Sequence, residues 1–436
     1  TQVFGSLKMR LIENGYAVEI AVSQSDLQEL EKLNSVWKQR LGLRNLPILI
    51  SNRRVSSVTL QARNVAGFVR VGELQLEILP KFIADLTDKA GWQTVLWNFL
   101  AYGNGLTLSE TSAGQASKNL EIPELMADLF LTSLEKASVM GYPIGYRKDK
   151  FVSGFLKGRL DPRSYGKLIP VTGRLSNIAS RLSPNISETQ LLVWASNKLS
   201  RLVSEPRLKQ ALVRWRASVP GVDSVLPTHK IVGSERRYPH LKDALSIAHL
   251  LATENGIVYG QGKMELPGFL WNSDALFEDV CFRLFQDSAR SLGVETEKPR
   301  IILATGKNHA GSNIKAHTIP DIMLKRKGKR LLSIDAKYKT LASTPSTSDI
   351  YQALSVGRVT SLKEVGIVYP AEGRTVQARV LHPVGSGMPE LVHVVEIGLE
   401  AFEAKSGINQ LQQSIAEWLS STAALTAPEM ADSTST

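Results

Sequence analysis

The stretch that most constrains this chain is Ile319 to Tyr338, IPDIML-KRKGKR-LLSIDAKY. Two short apolar runs flank a basic turn containing Gly328, which is the pattern of a β-hairpin. A turn centred on Gly328 sets Asp321 and Asp335 opposite each other, since each lies seven residues away. Directly opposed side chains sit about 4.5–5.5 Å apart at Cβ, and like charges there repel. Because side chains alternate along a strand, Leu332, Ile334, Ala336 and Tyr338 take one face, and Ser333, Asp335 and Lys337 the other. Ile322 and Leu324 then fall on the apolar face, with Asp321 on the aspartate face. The register thus converges two carboxylates and a lysine on one spot, where a hard divalent cation relieves the repulsion. The competing reading is an ordinary hairpin with solvated outer charges.

A third carboxylate lies upstream. Ser273 to Arg290 reads as an amphipathic helix with Ser273 as its N-cap. At 100° per residue from Leu276, Glu278 falls at about 200°, between Phe285 and Phe282 on the apolar arc. An ionised carboxylate there is costly unless it is paired or bound to metal. Cys281, the only cysteine, lies on the same apolar side, which excludes an intrachain disulfide and a cysteine-rich zinc site.

The charge balance is +11, which suits a polyanionic partner without naming one. The run Lys325, Arg326, Lys327, Gly328, Lys329, Arg330 is the densest basic segment, read either as a contact for DNA phosphates or as a merely soluble turn. Tyr142 to Asp161 is aromatic, basic and broken by glycine; an ordinary sheet with a wet basic face competes with a partner surface there. Ala304-Thr305-Gly306-Lys307 lacks the first glycine of a G-x-x-x-x-G-K-S/T loop, so no nucleotide hydrolysis by this chain alone is expected. No signal peptide and no apolar run of about 20 residues is visible, which makes the cytoplasm the expected compartment and a membrane role unexpected. Helices and strands alternate after the hairpin, with Ser348 the candidate cap of a helix bearing Gln352, an α/β order.

Glu278, Pro320-Asp321 and Asp335-Ala336-Lys337 together resemble the PD-(D/E)xK nuclease superfamily. Flanking residues narrow the resemblance to the McrC subunits of modification-dependent restriction systems. Glu77-Ile78-Leu79-Pro80-Lys81, Gly158-Arg159, Ile334 to Lys339, Asp349-Ile350-Tyr351-Gln352 and Val368-Tyr369-Pro370 are similar to motifs of that family in wording and order. Val356 and Gly357 stand where the family usually has an aromatic after the helix glutamine.

The resemblance implies a mixed α/β chain in two parts. Residues 1–225 form a β-rich and helical adaptor domain that binds a McrB-like hexameric AAA+ GTPase and stimulates its hydrolysis. Residues 226–420 form a PD-(D/E)xK restriction-endonuclease-like domain, and residues 421–436 are an expected disordered tail. It also implies Mg2+-dependent cleavage of double-stranded DNA. Asp321, Asp335, the Ala336 carbonyl and Glu278 are the expected metal ligands, with Lys337 as the catalytic lysine and Gln352 in support. An inactive scaffold that only activates the GTPase, and an unpartnered DNA repair nuclease of the same fold, remain as alternatives.

Overall fold

The computed structural model describes residues 7–54, 57–84, 92–105, 121–162, 173–224, 237–254, 268–307, 309, 312–384, 387, 389–422 and 425. The fold is mixed α/β, and it divides into two compact units. One comprises Lys8–Gly67, Leu76–Asn119 and Trp271–Thr436; the other comprises Thr1–Leu7, Phe68–Gln75 and Leu120–Leu270. The units interleave along the chain.

The first unit is built on a six-stranded sheet. From edge to edge its strands are Glu295–Glu297, Ile322–Arg326, Lys329–Ala336, Glu364–Ala371, Leu391–Gly398 and Val376–Leu381. The hairpin pairs antiparallel, the next two steps are parallel, and Val376–Leu381 returns antiparallel. A parallel step needs a crossover. Helix Thr347–Thr360 supplies the one between Lys329–Ala336 and Glu364–Ala371, and it covers one face through Ala353, packed with Val365, Ile367, Tyr369, Val392 and Val394. Helices Ser273–Arg290 and Lys405–Ser421 pack with each other and cover the opposite face, where Trp418 meets both Phe285 and His393. With both faces covered, the central strands are near-continuous apolar runs rather than alternating ones. Ser333 and Asp335 are therefore buried together with Leu332 and Ile334.

Three local expectations shift. The N-cap of Ser273–Arg290 is Asn272, whose side chain accepts from the N–H groups of Asp274 and Ala275, while Ser273 lies buried within the helix. Ser346, not Ser348, caps Thr347–Thr360 by accepting from Asp349 N at 3.3 Å. Lys405–Ser421, unremarked in the sequence, buries Ile408, Leu411, Ile415 and Leu419 on one stripe. It runs through the start of the expected tail, and Thr422 and Leu425 are also buried. The remainder of that tail lies outside the described residues.

The second unit packs helices Ile122–Ser138, Ser187–Leu202, Pro206–Ala217 and Lys242–Glu254 against one another, and it also holds a three-stranded antiparallel sheet. The sheet comprises Gly145–Ser153, Leu175–Ser183 and Arg159–Leu160, and Gly145–Ser153 alternates between half-buried and exposed residues. No helix among the described residues is long and apolar enough to cross a membrane.

Gly158 enters this sheet with φ of +84°, and a Cβ there would stand 2.6 Å from the Ile178 carbonyl oxygen. Both the dihedral and the contact require glycine. Gly158→Ala is expected to cost on the order of 1–3 kcal/mol, read as a lowered midpoint in chemical denaturation. An unshifted midpoint would remove the close approach.

Candidate active site

The hairpin register is the first determinant of the site. Its turn is Lys327-Gly328, with φ of +49° and +79°, the left-handed pair of a two-residue hairpin turn. Such a turn alone pairs Lys325 with Arg330 and, carried onward, would set Asp321 opposite Ile334. The ladder instead shifts between Leu324 and Lys325, leaving Leu331 as an extra residue, and continues as Leu324↔Leu332 and Ile322↔Ile334. The bulge restores the expected opposition although the turn is not centred on Gly328. A one-residue slip moves every side chain to the other face, so the bulge puts Asp335 on the side of Asp321.

At the open end of the hairpin Asp321 takes over from the ladder, its Oδ2 accepting from Ala336 N at 2.7 Å. Asp335 is 7% exposed, which rules out a solvated outer charge. Gln352 Nε2 donates to Asp335 Oδ1 at 3.1 Å, and Gln352 Oε1 accepts from Lys337 Nζ at 3.1 Å. Lys337 closes the ring by pairing with Asp335 Oδ2. That oxygen is buried and has no other partner among the described residues. Crossover helix and hairpin thus fix one carboxylate, one ammonium and one amide against each other.

Burial, then the neighbouring charges of Asp335 and Glu278, push the Asp321 carboxyl up to about 7 against the Ala336 N–H, which favours its ionised form. Glu278, half-buried on the helix of the opposite layer, is also raised, first by burial and then, against Lys298, by Asp335. Burial alone would lower Lys337, but Asp335 and Asp321 outweigh it and hold the ammonium charged. Cys281 is fully buried and its thiol is pushed well up by burial, so it is an inert core residue.

Among the described residues no three His, Cys, Asp or Glu side chains converge closely enough to hold a metal by themselves. The donor set still fits one kind of ion. Mg2+ keeps several waters and is commonly held by one or two carboxylates plus substrate phosphate. Asp321 and Asp335, one with a raised pKa and one with a buried oxygen shared only with Lys337, match that requirement. Glu278 lies near enough to be felt by both acids, since its charge raises Asp321 and the charge of Asp335 raises it in turn.

Two supports surround this ring. Asp349, buried at the start of the crossover helix, accepts from Tyr369 Oη at 2.8 Å and pairs with Lys339 at 2.6 Å. Lys81 Nζ donates to the Tyr338 carbonyl at 2.8 Å, directly behind Lys337, and lies over the Tyr338 ring. Glu13, which sequence reasoning missed, accepts from Lys81 N at 3.4 Å, and burial pushes it up to about 7. Its only sequence signal is a lone acid after a strand in which apolar residues alternate with Lys8 and Arg10.

The basic turn does not join the site. Lys325 pairs with Glu295 and Glu297 at 3.2 and 2.9 Å, and Arg326 donates to the carbonyls of Leu292 and Leu425. Lys327, Lys329 and Arg330 are exposed, but they occupy the turn, roughly 20 Å of strand away from the carboxylates.

A family model described as "McrBC 5-methylcytosine restriction system component" matches residues 60–370. The fold is similar to a chain of the refined half-complex from the tetradecameric assembly of Thermococcus gammatolerans McrB AAA+ hexamers with bound McrC. That match has a TM-score of 0.62 and 17% identity, over 94% of this chain and 100% of the other. A chain of the Thermococcus gammatolerans McrBC complex is more distant, with a TM-score of 0.45 and 19% identity over 64% and 87%. None of the curated proteins compared matches the chain.

Asp321 has an ordinary pKa of 3.8 and a folded value of about 7. A raised acid contributes stability that is complete below about pH 4 and is lost as pH rises through about 7. In metal-free buffer the melting temperature of Asp321→Asn should therefore gain on that of the unsubstituted protein between pH 4 and 7. A constant difference across that window would place the carboxylate in water.

Proposed function

From a chain that belongs to the McrBC 5-methylcytosine restriction system component family, we propose the DNA-cleaving subunit of such a system, a Mg2+-dependent PD-(D/E)xK endonuclease. The observation that carries this reading is the ring of Asp335, Lys337 and Gln352 closed beside Asp321. Asp321 and Asp335 would hold the cation, with the Ala336 carbonyl as a further ligand and Glu278 acting through water. The bound ion would polarise the scissile phosphate and lower the pKa of a coordinated water.

Lys337 leaves its pairing with Asp335 to orient the attacking water or to offset charge gathering on the phosphate. Gln352 holds both groups through its two amide atoms, so that the ammonium is aimed before substrate arrives. The Tyr338 carbonyl, held by Lys81, fixes the backbone behind that lysine.

The chain carries no nucleotide-binding loop, so motor activity must come from elsewhere. We place it with a McrB-like hexameric AAA+ GTPase, as the Thermococcus gammatolerans half-complex has McrC bound to McrB AAA+ hexamers. The part before about residue 225 would carry that contact. The intact set of acids, lysine and glutamine favours an active nuclease over a scaffold.

Asp335→Asn should abolish plasmid nicking in Mg2+ with the AAA+ partner present, while co-purification with the ring is kept. Normal nicking by this variant would take Asp335 out of the site. Glu278→Leu extends the apolar stripe and removes a crowded charge. It should raise metal-free stability on the order of 1 kcal/mol, yet lose nicking. Lost nicking with a large fall in stability would instead make Glu278 a structural carboxylate.

A further inference from the structure

The edge strand Glu295–Glu297 runs antiparallel to Ile322–Arg326, pairing Glu295 with Lys325 and Glu297 with Met323. It therefore leaves the sheet at the end where Asp321 enters. Between these two strands the chain makes a separate two-stranded ribbon, Ile301–Lys307 paired with Asn313–Thr318. Its base is anchored: Ile301 is 5% exposed and packs with Met323, Val356 and Leu362. Beyond the base, Ile302 through Lys307 and Asn313 through His317 are all exposed. An isolated two-stranded ribbon is marginal in water, so one that shows both faces to solvent calls for a partner.

Its chemistry is one-sided. No acidic residue occurs from Lys298 to Pro320, a stretch that also holds Arg300, Lys307 and Lys315. Among the described residues none of these last three pairs with a carboxylate, in contrast to Lys325. Thr305 is paired with Lys315 and Lys307 with Asn313, so strand alternation gathers Thr305, Lys307, Asn313 and Lys315 on one face. Ala304, Gly306, Ile314 and Ala316 fall on the other. The ribbon base is only three residues from Asp321 along the chain.

We propose that this ribbon is the duplex-docking arm of the active site, its Lys307 and Lys315 face seated on phosphates of the DNA that flanks the cleaved bond. The proposal rests on the nuclease reading and deepens it. A two-stranded ribbon has the width of the B-DNA major groove, and the root at Thr318 fixes the arm close to Asp321. Phosphate contacts of this kind position the duplex without reading its sequence, which leaves the choice of target to another component.

The test uses the full chain carrying Lys307→Ala and Lys315→Ala together, and a 30-bp duplex. Binding is measured by fluorescence anisotropy in Ca2+ across a salt series. Two lost phosphate contacts should flatten the slope of log K against log salt by about 1.8, and affinity at low salt should fall about tenfold or more. The paired Lys→Arg variant should keep the slope, and the melting temperature should stay put because both side chains are exposed. An unchanged affinity and slope would overturn the proposal. So would unchanged DNA binding accompanied by lost self-association or lost AAA+ binding, since the ribbon would then be a protein interface. A failure of the nuclease reading looks different: the unsubstituted chain would bind the duplex with the ribbon-dependent slope and leave it uncut in Mg2+ even with the AAA+ partner present, which would uphold the arm.

Discussion

One backbone N–H does more than any other group to define this site. Ala336 donates to Asp321 at the point where the hairpin ladder ends, and so pins the carboxylate beside Asp335. Like charges in such proximity repel, and burial adds to the cost. The proton affinity of Asp321, raised to about 7, is the expression of that cost. Lys337 and Gln352 are arranged around the repulsion: the ammonium neutralises part of it, and the amide bridges the ammonium and Asp335.

The layers of the fold explain why these groups meet. The crossover helix is needed to join two parallel strands, and the same helix brings Gln352 over the strand that carries Asp335 and Lys337. Its first turn is held by Asp349 to Tyr369 and Lys339, so the position of the amide follows from the position of the sheet. Behind the same strand, Lys81 reaches from a segment more than 250 residues away in sequence to hold the Tyr338 carbonyl. Local chain order and spatial support are therefore different things in this unit, which draws on residues 8–67 and 76–119 as well as on those after 271.

What the sequence made legible is what short-range rules govern. The apolar and acidic residues of the hairpin sort by alternation, and Glu278 stands out against an apolar arc; all converge near one spot in the fold. The caps moved by one or two residues because Asn272, Ser273, Ser346 and Ser348 are each competent caps, and only the tertiary exit angle selects among them. Lys325 and Arg326 looked free because their partners are remote or are carbonyls: Glu295 and Glu297 on the adjoining strand, Leu292 and Leu425 elsewhere. Glu13 and the interleaving of the units were invisible for the same reason. Helix Lys405–Ser421 was within reach, since Ile408, Leu411, Ile415 and Leu419 keep helical spacing.

The extra residue Leu331 makes the geometry of the carboxylates a matter of counting. With a two-residue turn and one bulge, the segment joining Asp321 to Asp335 has the parity that brings both to one face. Lengthening or shortening that segment by a single residue turns Asp335 toward the helices of the other layer, whatever is inserted. A change of two residues lengthens the hairpin and leaves the acids together. Relatives that preserve the site should therefore vary this loop in even steps, or pair an odd step with the gain or loss of a bulge. The length of the segment is itself an inherited constraint, apart from the identity of any residue within it.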